Sequence, residues 1–154
     1  MNRRNFLGTC SVFLLSASAG GVQASNFTVS YSQEEWKKRL SPLAFKVMRK
    51  DGTERAGSSP LDKNYAQGTY HCAGCDLPLY ASETKFDSGT GWPSFYEALP
   101  KAVGTKVDYK LLMKRTEVHC ARCGGHLGHV FNDGPAPTGK RHCINGVALR
   151  FDAA

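Results

Sequence analysis

The sequence predicts a small, mainly β, turn-rich domain with short N-terminal helices and one four-cysteine zinc site. Three observations carry this. Sixteen glycines and seven prolines in 154 residues break the chain too often for long helices. Short runs of strand-forming residues recur between those breaks. Four of the six cysteines form two Cys-x-x-Cys pairs, C-A-G-C from Cys72 to Cys75 and C-A-R-C from Cys120 to Cys123. Each short knuckle aims two thiolates at one point, and tetrahedral Zn²⁺ needs four. Length and a 41% hydrophobic composition bound the chain to one domain plus a short leader.

Residues 1–24 read as that leader. Arg3 and Arg4 precede a short apolar run, Val12 to Ala19, and a small-residue site ends at Val22-Gln23-Ala24. The run is too short for a membrane span. Arg3-Arg4-Asn5-Phe6-Leu7 resembles the twin-arginine motif, which exports a folded protein across the bacterial inner membrane. The expected location is therefore the periplasm, with cleavage after Ala24 and the domain over 25–154. Zinc loading before export would protect the thiols from an oxidising compartment. An uncleaved anchor is the alternative. A lipoprotein role for Cys10 fits poorly, because the apolar run follows it.

Within 31–50, Ser32 and Glu35 make a capping box ahead of Trp36 and Leu40. Ser41-Pro42 opens a second short helix through Leu43, Phe45, Val47 and Met48. Both helices are expected over the end of a sheet. Asp51 to Gln67 reads as a loop. Strands are expected at Thr69–His71, Leu77–Tyr80, Val107–Met113, Thr116–His119, Gly128–Phe131, Arg141–Asn145 and Val147–Phe151. Strand, knuckle, strand occurs twice, so two hairpins tied by one metal are predicted; the metal replaces part of a small core. In the loop K-F-D-S-G-T-G-W-P-S-F (85–95), Phe86 and Phe95 read as core plugs. Trp92, between Gly91 and Pro93, reads as a pocket wall.

With Cys10 in the leader and four thiols on zinc, Cys143 is the one cysteine without a structural task, and it is the candidate nucleophile. An inert core thiol is the alternative. The formal charge of +7 falls to +5 without Arg3 and Arg4. That excess reads as a solvated basic surface with no nucleic-acid partner.

Four blocks, G-T-Y-H-C-A-G-C, K-F-D-S-G-T-G-W-P-S-F, C-x-x-C-G-G-H-L-G-H-V-F-N-D-G-P and R-H-C-I-N-G-V-A-L-R-F, resemble the methionine-R-sulfoxide reductases of the B type. The likeness runs from about Tyr31 to the C-terminus. It implies two antiparallel β-sheets, with zinc at the far end from the active site. It implies reduction of the R epimer of methionine sulfoxide, mainly in oxidised proteins. It assigns the nucleophile to Cys143 and the acid–base histidine to His129. His126 and Asn145 join the network around water or the sulfoxide oxygen. Trp92 packs on the substrate methyl, while Asp133 and Arg141 support the polar network nearby. Asn145 bracing a turn with Gly146 is the alternative for that residue.

Three positions depart from the family pattern. Thr90 stands where many members carry a recycling cysteine, His142 replaces a tyrosine, and Gly146 replaces a serine. Without the second cysteine, a sulfenic acid on Cys143 must be reset by an external thiol, either a thioredoxin-like protein or a small molecule. Strand alternation is expected to turn Arg141 and His142 away from Cys143, leaving the histidines of the neighbouring strand to face it. A histidine with a pKa near neutrality is expected to supply the proton. His71 and His119 read as surface or supporting residues. The chain is expected to act as a monomer, without membrane contact once the leader is gone. A zinc-ribbon binding module is the competing class, although 44 residues between Cys75 and Cys120 exceed the usual ribbon spacing.

Overall fold

The N-terminal helices follow their capping signals. The computed structural model describes residues 27–109 and 113–154, so the expected leader lies outside the described residues. Helix α1 runs Gln33–Arg39 behind a Ser32–Glu35 capping box, and α2 runs Pro42–Lys50 behind Ser41. Asp51, in the left-handed conformation, ends α2. Between the helices and the first strand the expected loop carries one 3₁₀ turn, Pro60–Lys63.

Nine strands follow among the described residues: β1 Gly68–Cys72, β2 Pro78–Ala81, β3 Lys85–Phe86, β4 Ser94–Phe95 and β5 Val103–Asp108. The rest are β6 Arg115–Cys120, β7 His126–Phe131, β8 Arg141–Ile144 and β9 Leu149–Ala153. They form two antiparallel sheets, ordered β2-β1-β9 and β3-β4-β8-β7-β6-β5. The strand expected at Val107–Met113 begins four residues earlier, because Val103 to Asp108 pair along β6. Residues 110–112 of that expected strand lie outside the described residues. The two-residue strands β3 and β4 escape a sequence reading because each spans a single period of alternation, too little to show a pattern.

An aromatic stack locks the sheets together. Phe95 of β4 stacks on Tyr80 at 4.3 Å between ring centres and meets Tyr70 edge-on at 5.0 Å. All three are fully buried, with Leu79, Val118, Leu127 and Ile144 around them. Such ring pairs add roughly 0.5–1.5 kcal/mol each beyond their buried area. Phe95 is thus the core plug expected, while Phe86 is only partly buried.

Both knuckles sit at hairpin turns, one in each sheet, and have the same backbone. Cys72 N–H donates to Leu77 and Asp76 N–H to Cys72, just as Cys120 N–H donates to Gly125 and Gly124 N–H to Cys120. The residue after the second cysteine, Asp76 or Gly124, takes a positive φ in each. The helices cover this end of the molecule. Met48 lies against both Gly74 and Gly125, and the Arg49 guanidinium donates to the Cys123 carbonyl.

Candidate active site and metal centre

The four knuckle sulfurs converge across the gap between the sheets. Cys72 Sγ is 3.7 Å from Cys123 Sγ, and Cys75 Sγ is 3.5 Å from Cys120 Sγ; all four lie within 4.8 Å of one another. A tetrahedral Zn²⁺ with bonds of about 2.3 Å sets its sulfurs about 3.8 Å apart, so the donor set fits. Hydrogen bonds from its neighbours pull the Cys123 thiol down. The same contacts, with burial, push the Cys72 thiol up.

Away from the knuckle end, register builds a second site. On the six-stranded sheet Ser94, Cys143, His129, Glu117 and Lys106 form one continuous cross-strand row. Directly opposite residues share a face with Cβ atoms about 4.5–5.5 Å apart, so His129 and Ser94 flank Cys143. Ile144, next along β8, points into the core. The row opens into a cleft of about 150 Å³ walled by Trp92, His129, Phe131, Arg115, Asn145 and Cys143. That volume suits the tip of one side chain.

His129 Nε2 lies 2.8 Å from Asp108 Oδ2. A carboxylate only accepts, so Nε2 carries the hydrogen and Nδ1 keeps a lone pair. Arg115 donates to the same Asp108 oxygen at 2.7 Å. Burial holds the His129 pKa below its ordinary value despite the Asp108 bond. A pKa near neutrality is the expectation for this histidine; burial biases it towards the neutral imidazole. Burial likewise pushes the Cys143 thiol up, while the Thr90 hydrogen bond and the Arg141 charge favour its thiolate. Cys143 and His129 are thus cross-strand neighbours on one sheet face, and the imidazole is tied to the Asp108 carboxylate.

Other expected residues fall around this centre. Trp92 lines the cleft, its indole N–H donating to the Glu54 carbonyl at 3.2 Å. Asn145 also lines it, but both ends of its amide are engaged: Oδ1 accepts from Glu54 N–H, and Nδ2 donates to the Leu127 carbonyl. These bonds brace the turn after Cys143 while Asn145 keeps its place on the cleft wall. His126 is buried one step behind, with its ring 5.4 Å from that of His129 and Nδ1 3.3 Å from Glu117 Oε1. Asp133 and Arg141 form a two-pronged ion pair at 2.9 Å, in a neighbouring groove on the Thr90 side. Arg141 corrects one expectation. It stands two residues from Cys143, and period-2 alternation puts it on the same face, with its charge felt by the sulfur. His142 does turn away, bonding Tyr80 Oη at 3.1 Å.

Sequence reasoning missed Asp108, Arg115 and Glu54. Asp108 and Arg115 become partners through the β5–β6 register. Buried Glu54 receives the backbone N–H groups of Gly146 and Val147, more than 90 residues on. Only the burial of a carboxylate would mark it, and burial is not local information. Gly146 is accommodated too: a Cβ there would lie 2.0 Å from Ser59 Oγ. A serine hydroxyl thus fills space beside Gly146 from another segment.

Fold and site define a two-sheet domain with a four-thiol cluster at one end and a cleft around Cys143 and His129 away from it. The chain belongs to the SelR domain family, which it matches over residues 40–153. It is 51% identical over 127 residues to the peptide methionine sulfoxide reductase MsrB of Leptospira interrogans, covering 82% of this chain and 97% of that one. It is 56% identical over 124 residues to the MsrB of Methanosarcina barkeri, covering 80% and 87%. The chloroplastic peptide methionine sulfoxide reductase B1 of Arabidopsis thaliana is 46% identical over 151 residues, covering 93% and 75%. A zinc-ribbon binding module is therefore not the class of this chain.

Proposed function

We propose that this protein reduces the R epimer of methionine sulfoxide in oxidised proteins, with Cys143 as nucleophile. The observation that carries the reading is the direct cross-strand pairing of Cys143 with His129, whose Nε2 is tied to Asp108. Neutral His129 takes the Cys143 proton at Nδ1. The thiolate attacks the sulfoxide group, and the new imidazolium returns the proton to the oxygen. Oxygen passes from the methionine sulfur to Cys143, leaving reduced methionine and a sulfenic acid. Asp108 stabilises the transient imidazolium, and Trp92 seats the substrate methyl. Arg141, held by Asp133, favours the thiolate, while Asn145 and His126 hold Cys143 and His129 in place.

Two equivalents of an external thiol then restore Cys143, releasing water and a disulfide. The remaining cysteines among the described residues belong to the knuckle cluster. Cys72, Cys75, Cys120 and Cys123 would hold one zinc, whose contribution is to clamp the sheets together. Residues 1–24 would direct export to the periplasm, where the protein acts as a monomer.

Turnover of separated R and S epimers in a peptide, with dithiothreitol as reductant, tests the reading. Only the R epimer is expected to react, and Cys143→Ser is expected to be inactive while still folded. Equal turnover of the S epimer, or an active Cys143→Ser, would overturn it.

A further inference from the structure

On the side of Cys143 away from His129, three hydroxyls stand in file. Thr90 Oγ1 is 3.9 Å from Cys143 Sγ, and Ser88 Oγ is 2.8 Å from Thr90 Oγ1. Ser94 Oγ is 2.7 Å from Ser88 Oγ and donates to the Trp92 carbonyl at 3.2 Å. Ser94 is 1% exposed and sits opposite Cys143 in register, so the file leaves the nucleophile and returns beside it.

Each hydroxyl owns a single proton, which fixes the polarity of the file. With the Ser94 proton on the Trp92 carbonyl, Ser88 must donate to Ser94 and Thr90 to Ser88. Thr90 then offers the sulfur only lone pairs, and the Cys143 S–H is the donor. The opposite polarity turns every hydroxyl round. Thr90 donates to sulfur, Ser88 to Thr90 and Ser94 to Ser88, and the Trp92 carbonyl is released. The first arrangement suits a thiol. The second suits a thiolate, because a charged acceptor makes the stronger hydrogen bond.

We infer that Ser88, Thr90 and Ser94 form a reversible hydroxyl chain that governs how readily Cys143 ionises and ties that ionisation to the Trp92 carbonyl. Ser88 and Ser94 are positioning residues that act through Thr90. No proton passes along the chain; each hydroxyl rotates about its C–O bond, and the Cys143 proton leaves to His129 or water. The charged and titratable groups facing the sulfur stay as described: Arg141 on its own strand with Asp133 behind it, and His129 on β7 backed by Asp108 and Arg115. The inference rests on Cys143 being the working thiol, and it adds a device that sets its reactivity.

The test is the pH dependence of Cys143 alkylation by iodoacetamide in the zinc-loaded protein, read at that residue by peptide mass spectrometry. Thr90→Val removes the donor, so alkylation at pH 7.5 is expected to slow by about threefold to tenfold, with the midpoint moving up. Ser88→Ala deprives Thr90 of its acceptor and frees its proton for sulfur. Alkylation is then expected to quicken by a similar factor, with the midpoint moving down. Thr90→Ser is expected to restore wild-type behaviour. Shifts of the same sign in Thr90→Val and Ser88→Ala, or changes under about twofold in both, would overturn the inference. Sulfoxide turnover is measured separately. A wild-type protein that alkylates as expected yet reduces no sulfoxide would sink the proposed function and leave the hydroxyl chain standing.

Discussion

Asp108→Asn tests the carboxylate behind His129, and comparison with a His129→Ala double variant separates that contribution from its anchoring of Arg115. Asparagine keeps the volume but loses the charge that Nε2–H meets at 2.8 Å. Side-chain exposure is 13% for His129 and 9% for Asp108, so water screens the pair little. A hydrogen bond to a charged group in such a setting contributes about 1.5–3 kcal/mol. That energy is felt in the transition state, where the imidazole has taken the thiol proton. At about 1.36 kcal/mol per factor of ten, kcat/KM should fall by about 10- to 150-fold. The loss should lie mainly in kcat, since Asp108 does not line the cleft. The assay is reduction of an R-sulfoxide peptide by wild type, Asp108→Asn, His129→Ala and the double variant. If Asp108 acts through His129, its replacement should cost almost nothing once the imidazole is gone. A loss of the same size in both backgrounds, or one under about twofold in the wild-type background, would refute the reasoning.

Metal analysis should find one zinc per chain. Its removal by a strong chelator should unfold the domain, because structural zinc contributes on the order of 10 kcal/mol; a folded, active, zinc-free protein would count against this. Stability should also fall in mild acid. Burial depresses the pKa values of His129 and His142 below 6.5, so the unfolded chain takes up protons first. Their contribution is fully present above pH 6.5 and is lost as the pH falls below it through their depressed folded-state values. The urea midpoint at pH 5.5 should therefore lie below that at pH 7.5, and an equal or higher midpoint would contradict it. Thr90→Cys should form a disulfide with Cys143 after one turnover without reductant, given the 3.9 Å between Thr90 Oγ1 and Cys143 Sγ. Peptide mapping that finds only a sulfenic acid in that variant would show the two positions cannot bridge.

Local chemistry made much of this protein legible before any tertiary contact was known. Ser32-x-x-Glu35 and Ser41-Pro42 specified two helix starts, because a cap is satisfied within one turn of chain. Each Cys-x-x-Cys pair specified a knuckle for the same reason, and Cys143 stood out by elimination from the metal. The four-block resemblance supplied the two-sheet architecture and most of the expected site residues. What only the tertiary structure decided is which distant groups those residues meet. Asp108 reaches His129 through the pairing of three strands. Glu54 reaches the turn after Cys143 across more than 90 residues of chain. Arg141 is a different case: it shares a face with the thiol by strand alternation alone, which the sequence already carried. Asn145, expected at the reacting oxygen, has both amide ends held by backbone. Sequence determines what a residue can donate or accept within a turn of itself. Register and sheet packing determine who is there to receive it, because those neighbours are brought close by burial and not by the chain.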